Sequence, residues 1–190
     1  YKAVKEFSVF AKFAVKGEEN KYILAWTTTP WTLPSNVALC VNANETYVKA
    51  RREDGVYILA EALVKNVLGE EGVEIMETFP GSALVGTEYE PLFDMSASFN
   101  GKKGYRVVSD NDVTLDEGTG VVHIAPAFGE DDNRVGKVYD LPFLQLVNPS
   151  GHLCGGTPFD GLFVKDADKP VLEDLKRQEK LFSAPQFEHS

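Results

Sequence analysis

The sequence predicts a mainly β domain carrying a few peripheral α-helices. Short runs rich in β-branched and aromatic residues recur at close intervals, turn-forming residues separate them, and helical spacing is confined to three segments. Many short strands in succession fit a barrel or a sandwich better than a doubly wound sheet.

In order, residues 22–29 form the first predicted strand, aromatic and β-branched, and Pro30 stops it. Residues 37–41 follow as an apolar strand, and 46–51 alternate. After the turn-like Glu53 to Gly55, residues 55–59 return as a further strand. Strands are also expected at 73–78, 105–109, 120–124 and 143–147. The helices are 60–68, which stops at Gly69; 129–139, whose acidic start at Glu130, Asp131 and Asp132 suits the positive helix end; and 168–181. In the last, Val171, Leu172, Leu175 and Leu181 recur at roughly helical spacing, with Pro170 near the first turn.

At 190 residues the chain suits one domain able to bury a sizeable core, and 43% hydrophobic with 25% charged residues is ordinary for a globular protein. Its longest apolar runs are far too short to span a bilayer. Tyr1 to Val4 offer neither an initiator Met nor a signal-peptide core, so the start reads as the interior of a longer protein. Cys40 and Cys154 lie far apart without metal-ligand spacing, which points to reduced thiols and a reducing compartment. His152 and Cys154 have no second half, so no zinc site is expected. The net charge of −10 argues against a domain that grips nucleic acid by itself, because phosphate binding calls for a basic face. The modest clusters Lys49, Arg51, Arg52 and Lys102, Lys103 read as solvated surface.

Two stretches carry chemistry. From Trp26 to Asn36 the chain packs four threonines, two prolines and two tryptophans into eleven residues. A strand shows threonines alternately on both faces, and Pro30 then frees backbone amides and hydroxyls that can hold a polar ligand or a developing oxyanion without carrying charge. Threonine chosen for β-propensity alone explains the strand part equally well. From Gly118 to Asp132 a glycine-rich turn feeds an apolar strand bearing His123, Pro126 closes it, and an acidic helix start follows. One of Asp131 and Asp132 can cap that helix, leaving the other to bind an ammonium group. His123 is open to three roles: ligand, acid/base or steric wall. No GxSxG, Walker A or GxGxxG pattern occurs, and no spacing assigns a covalent nucleophile.

Together these stretches resemble the editing domain inserted in the catalytic fold of isoleucyl-tRNA synthetases. The related valyl and leucyl domains usually carry a Thr-Thr-Arg-Pro type of peptide; here Thr29 stands at the Arg position and Trp31 follows Pro30. Residues 164–169 also look familial, so the resemblance extends over nearly the whole chain. It implies a β-barrel editing domain of the valyl/leucyl/isoleucyl-tRNA synthetase type, with 1–190 a single domain cut from a larger class I synthetase. HIGH and KMSKS motifs are absent, so neither ATP nor magnesium is expected to serve this segment; both belong to the missing core.

The resemblance further implies hydrolysis of valine from wrongly charged isoleucine tRNA, with isoleucine excluded by size. Asp132, Thr28 and Thr29 would form the catalytic group, Asp132 holding the α-ammonium. Thr27, Thr32 and Asn36 would help place the ester, the terminal adenosine and the attacking water. His123 would line the side-chain pocket, and Trp31 would form part of the wall. The implied partners are isoleucine tRNA carrying valine and the rest of the synthetase, in the cytoplasm, with no membrane contact and no stable oligomer. Two other readings are an editing domain of the valyl or leucyl type and a non-catalytic tRNA-binding module.

Overall fold

The computed structural model describes residues 8–188, so Tyr1 to Val4 lie outside the described residues. Its strands are β1 (Val9–Ala14), β2 (Lys21–Thr27), β3 (Ala38–Val41), β4 (Thr46–Arg52), β5 (Gly55–Ala60), β6 (Glu74–Pro80), β7 (Arg106–Ser109), β8 (Val122–Ile124) and β9 (Leu181–Ser183). The helices are α1 (Val64–Leu68), α2 (Glu130–Val138), α3 (Val164–Arg177) and α4 (Pro185–Glu188).

The sheet curls into a barrel. β1 pairs antiparallel with β2, the end of β2 pairs parallel with β8, β8 antiparallel with β3, and β3 parallel with β7. Residues 88–89 then close the ring, because Tyr89 bridges Val15 just beyond β1 while Glu88 bridges Arg106 of β7. Such closure leaves no open edge on that side. The first half of β2 pairs instead with β5, which continues through β4 to β6 as an arm. β6 is its outer strand and is almost wholly exposed.

The period-2 rule explains the packing. In β1, Val9, Ala11 and Phe13 point to buried positions while the alternate residues are half-exposed. The main core joins Phe13, Ile23, Leu39, Tyr47, Val107 and Leu175. A separate cluster of Leu24, Val48, Tyr57 and Leu59 lies under α1 on the arm.

Seven of the eight expected strands form near their expected bounds. The exception is 143–147: Leu144 and Leu146 are buried and Phe143 is exposed, yet only Val147 makes an isolated bridge, to Leu153. Alternation there reports one-sided burial without a ladder. The expected helix 168–181 is α3, beginning and ending four residues earlier, with Leu181 passing into β9. Pro170 thus sits inside the helix. Its missing N–H leaves the carbonyl of exposed Asp166 to water, which the surface position tolerates. Among the described residues no helix is long and apolar enough to cross a membrane.

Candidate functional site

Two parallel strands open the site. β2 and β8 pair at Trp26 and Val122, so both chains leave the barrel on the same side. Crevices at the carboxyl ends of parallel strands are where open α/β sheets bind ligands, and the same geometry operates here on a barrel rim. Pro30 starts a 3-10 turn, Pro30–Ser35, that turns the chain out of the ladder. Beyond β8 a second 3-10 turn, Pro126–Phe128, leads into α2. Between the two exits lies a cleft of about 260 Å³.

Six of the eight residues expected at the site line this cleft: Thr27, Thr28, Thr29, Thr32, His123 and Asp132. Trp31 and Asn36 do not. Asn36 is buried behind His123 and reaches the ring from the core side. Trp31 stands one layer back, its ring edge-on to Phe128 at 5.1 Å, and Phe128 is the aromatic wall. The backbone N–H of Trp31 donates to Asp168 Oδ1 of α3 at 3.1 Å, tying the threonine-rich loop to that helix. Burial raises the Asp168 carboxyl above its ordinary value, against the pull of that N–H.

The polar wall is a continuous chain of hydrogen bonds. Thr29 N–H donates to Thr27 Oγ1 at 3.1 Å, and the Thr27 and Thr29 hydroxyls lie 3.3 Å apart. Thr29 Oγ1 is 3.1 Å from Thr32 Oγ1, whose hydroxyl donates to the Thr29 carbonyl at 2.8 Å. Thr32 Oγ1 is 2.9 Å from His123 Nε2, and Asn36 Nδ2 is 2.9 Å from His123 Nδ1. Asn36 also donates to the Ala38 carbonyl at 2.9 Å, while Tyr89 donates its hydroxyl to Asn36 Oδ1. Both His123 nitrogens therefore have partners. Burial lowers its pKa to about 4, and the ring is a neutral wall at neutral pH. That arrangement suits shape and polarity better than proton transfer.

Asp132 occupies the third position of α2. Neither it nor Asp131 caps the helix: Gly129 takes the N-cap position with no side-chain cap. Asp132 Oδ2 instead accepts from the Ala125 N–H at 2.9 Å, which fixes the carboxylate at the cleft mouth. Burial raises its pKa, the Ala125 N–H opposes the rise, and the charge of Asp131 adds to it. An unpaired, half-buried carboxylate beside neutral hydroxyls is suited to a cationic group. On its far side Asp132 also borders a second cleft of about 230 Å³, shared with Trp26 and lined by Asp110, Asp112, Glu117 and Asp131. Arg134 grips Asp110 at 2.8 and 3.0 Å and offsets part of that charge.

Sequence reasoning missed Trp26, Val122 and Ala125 as lining residues. All three lie within the two singled-out stretches, which was their signal. Tyr89 carried none, since it reaches the site only through the fold, and Asp168 lay in the familial stretch 164–169 without any sign of its contact to Trp31. Cys40 and Cys154 are both free; burial pushes the Cys40 thiol up to about 12, so it is no nucleophile. Among the described residues no group of three His, Cys, Asp or Glu side chains can hold a metal ion.

No family model matches the chain. Along its full length it is 51% identical over 191 residues to an isoleucine–tRNA ligase of Clostridium novyi, and 52% identical to that of Clostridium acetobutylicum. An isoleucine–tRNA ligase of Bacillus thuringiensis is 47% identical over the same length. The chain spans 18% of the length of these relatives. In three dimensions it resembles a solved GlLeuRS-CP1 with a TM-score of 0.72 at 15% identity, covering 93% of this chain and 96% of that one. The editing domain of P. knowlesi cytosolic leucyl-tRNA synthetase matches with a TM-score of 0.68 at 13% identity, covering 93% and 95%. At such identities the likeness establishes the fold alone.

Proposed function

Because the chain belongs with the editing (connective peptide 1) domains of isoleucyl-tRNA synthetases, we propose that it hydrolyses the ester of valine wrongly attached to isoleucine tRNA. The observation that carries this reading is the single carboxylate of Asp132 held at the mouth of a threonine-walled cleft whose histidine is neutral.

The reaction asks little of the protein beyond placement. Water adds to the ester carbonyl carbon, the bond to the ribose oxygen breaks, and that oxygen takes a proton, giving free valine and uncharged tRNA. Asp132 holds the α-ammonium, Thr28 and Thr29 position the reacting ester and water, and a ribose hydroxyl of the substrate assists. Orientation in such a site supplies much of the rate without a covalent intermediate. Thr27 and Thr32 complete the polar wall, and Phe128 with His123 limits the side-chain space.

Size is the reason such a site is needed. One methylene is worth only about 1–3 kcal/mol in a hydrophobic pocket, and isoleucine against valine in a synthetase is the standing example of that limit. A second site reverses the sieve: valine enters and the larger isoleucine meets the wall. The His123 ring is buried and held at both nitrogens, so it yields little. The reaction belongs in the cytoplasm with the rest of the synthetase, whose other parts hold the tRNA body.

Deacylation of valyl- and isoleucyl-tRNA(Ile) by this chain tests the proposal, with Asp132→Ala and Asp132→Asn alongside. Loss of valine only, weakened in both variants, supports it. Equal hydrolysis of both amino acids, or full activity in Asp132→Ala, would sink the assignment.

A further inference from the structure

The direction of each hydrogen bond in the threonine wall follows from its buried end. Asn36 has two amide hydrogens; one goes to the Ala38 carbonyl and one to His123 Nδ1, and its oxygen takes the Tyr89 hydroxyl. The Ala38 carbonyl has no hydrogen to give, so the amide cannot turn over without setting oxygen against oxygen. Nδ1 of His123 is thus an acceptor. A neutral imidazole then carries its proton on Nε2, which donates to Thr32 Oγ1.

From there the order propagates outward. The Thr32 hydrogen is spent on the Thr29 carbonyl, so the contact between Thr32 and Thr29 Oγ1 must use the Thr29 hydrogen. With that hydrogen spent, the contact between Thr29 and Thr27 uses the Thr27 hydrogen. The hydroxyl protons of Thr27 and Thr29 thus point inward along the chain, that of Thr32 is held by the Thr29 carbonyl, and none is left for a ligand. What remains for a ligand is one lone pair on Thr27 Oγ1, which already accepts from Thr29 N–H, and one on Thr29 Oγ1.

We infer that the Thr27 and Thr29 edge of the cleft is an acceptor surface: it takes hydrogen bonds from hydroxyl donors, the attacking water and the ribose hydroxyl beside the ester, and gives none to the ester carbonyl. This rests on the hydrolytic reading above. Thr27 and Thr29 are accordingly positioning residues that select a ligand bearing a free vicinal hydroxyl. Asn36 and Tyr89 belong to the site although neither lines it, because they set its polarity from behind.

Two measurements test this. In the full chain carrying His152→Gln and His189→Gln, nitrogen-15 NMR at neutral pH reads His123 alone. A proton on Nε2 is expected; a proton on Nδ1, or a charged ring, overturns the inference. This readout involves no substrate. The second measurement is binding of adenosine bearing valine through a non-hydrolysable ribose amide, compared with the same compound methylated on the neighbouring hydroxyl. Thr29→Val, at an exposed position where the fold is not at stake, is expected to weaken the free-hydroxyl compound by about fivefold and leave the methylated one unchanged. Equal loss for both compounds, or no loss for either, overturns it. If neither compound binds, the hydrolytic reading falls, and the polarity stands or falls on the nitrogen spectrum.

Discussion

At the scale of single residues, His123 and Asp132 titrate in opposite senses. Burial takes His123 from 6.5 to about 4, so the unfolded ring binds a proton below pH 6.5 that the folded ring refuses until about pH 4. The stabilisation is whole above pH 6.5 and is lost progressively as pH falls toward 4, on the order of 3 kcal/mol at most. Asp132, with its pKa raised, binds its proton earlier when folded and offsets part of that loss. Urea midpoints between pH 7 and 4.5 should therefore fall in the parent chain and fall less steeply in His123→Gln. That variant should also start about 1–3 kcal/mol less stable at pH 7, since it disturbs a buried polar network. For the proposed hydrolysis, the raised Asp132 pKa shifts the loss of activity on the acid side upward from that of an ordinary aspartate, and Asp132→Asn should abolish that limb. Replacing the charge while keeping an acceptor for Ala125 N–H is expected to cost on the order of 10- to 100-fold in activity. Here the sequence was informative only through its motifs. Asp132 and Asp131 are chemically alike on paper and only the resemblance favoured Asp132; in the structure Asp132 lines the threonine cleft and accepts from Ala125 N–H, while Asp131 faces Arg134.

At the scale of elements, the rim depends on two close approaches. Gly118 has φ +75°, and a Cβ there would fall 2.0 Å from the Trp26 Nε1 atom, so the indole lies on bare backbone. Gly118→Ala is expected to displace Trp26, which separates the two clefts, and to destabilise by more than about 1 kcal/mol. Thermal unfolding and tryptophan fluorescence would report both effects; an unchanged indole environment would rule the contact out as a determinant. On the other side, α3 holds the threonine loop through Asp168. Asp168→Ala should leave the barrel folded and raise exchange of the Trp31 amide, whereas Asp168→Asn keeps an acceptor and should restore protection. Neither tether is visible in the sequence, because the partners are 137 residues apart in one case and 92 in the other. Elements themselves were mostly legible. β1 escaped since its outward residues include Phe10, so polar and apolar residues do not alternate. The end of α3 was misplaced since Glu179 takes the left-handed conformation, φ +58°, that a glycine would have advertised.

At the scale of the whole molecule, charge limits what the chain can hold. Its net charge of −10 opposes a polyanion, and the few basic clusters are already engaged. Lys49, Arg51 and Arg52 face Glu77, Glu74 and Asp54, while Lys102 and Lys103 face Asp140 and Glu88. The cleft itself carries Asp132, with Asp110, Asp112 and Asp131 behind it. On the proposed function a tRNA end enters through its terminal nucleoside and ammonium, while among the described residues the phosphate backbone finds no basic track to follow. Binding of tRNA to this chain alone should thus be weak, and its dependence on salt shallow. The logarithm of affinity should fall with the logarithm of salt with a slope of about 1–2, against roughly 6–9 for a surface that neutralises many phosphates. Deacylation by the chain should then show a strongly raised KM with a kcat less affected, because the proposed reaction engages only the aminoacyl end. A steep salt slope would reveal a basic face that these ion pairs conceal, and would return tRNA capture to this domain instead of to the rest of the synthetase.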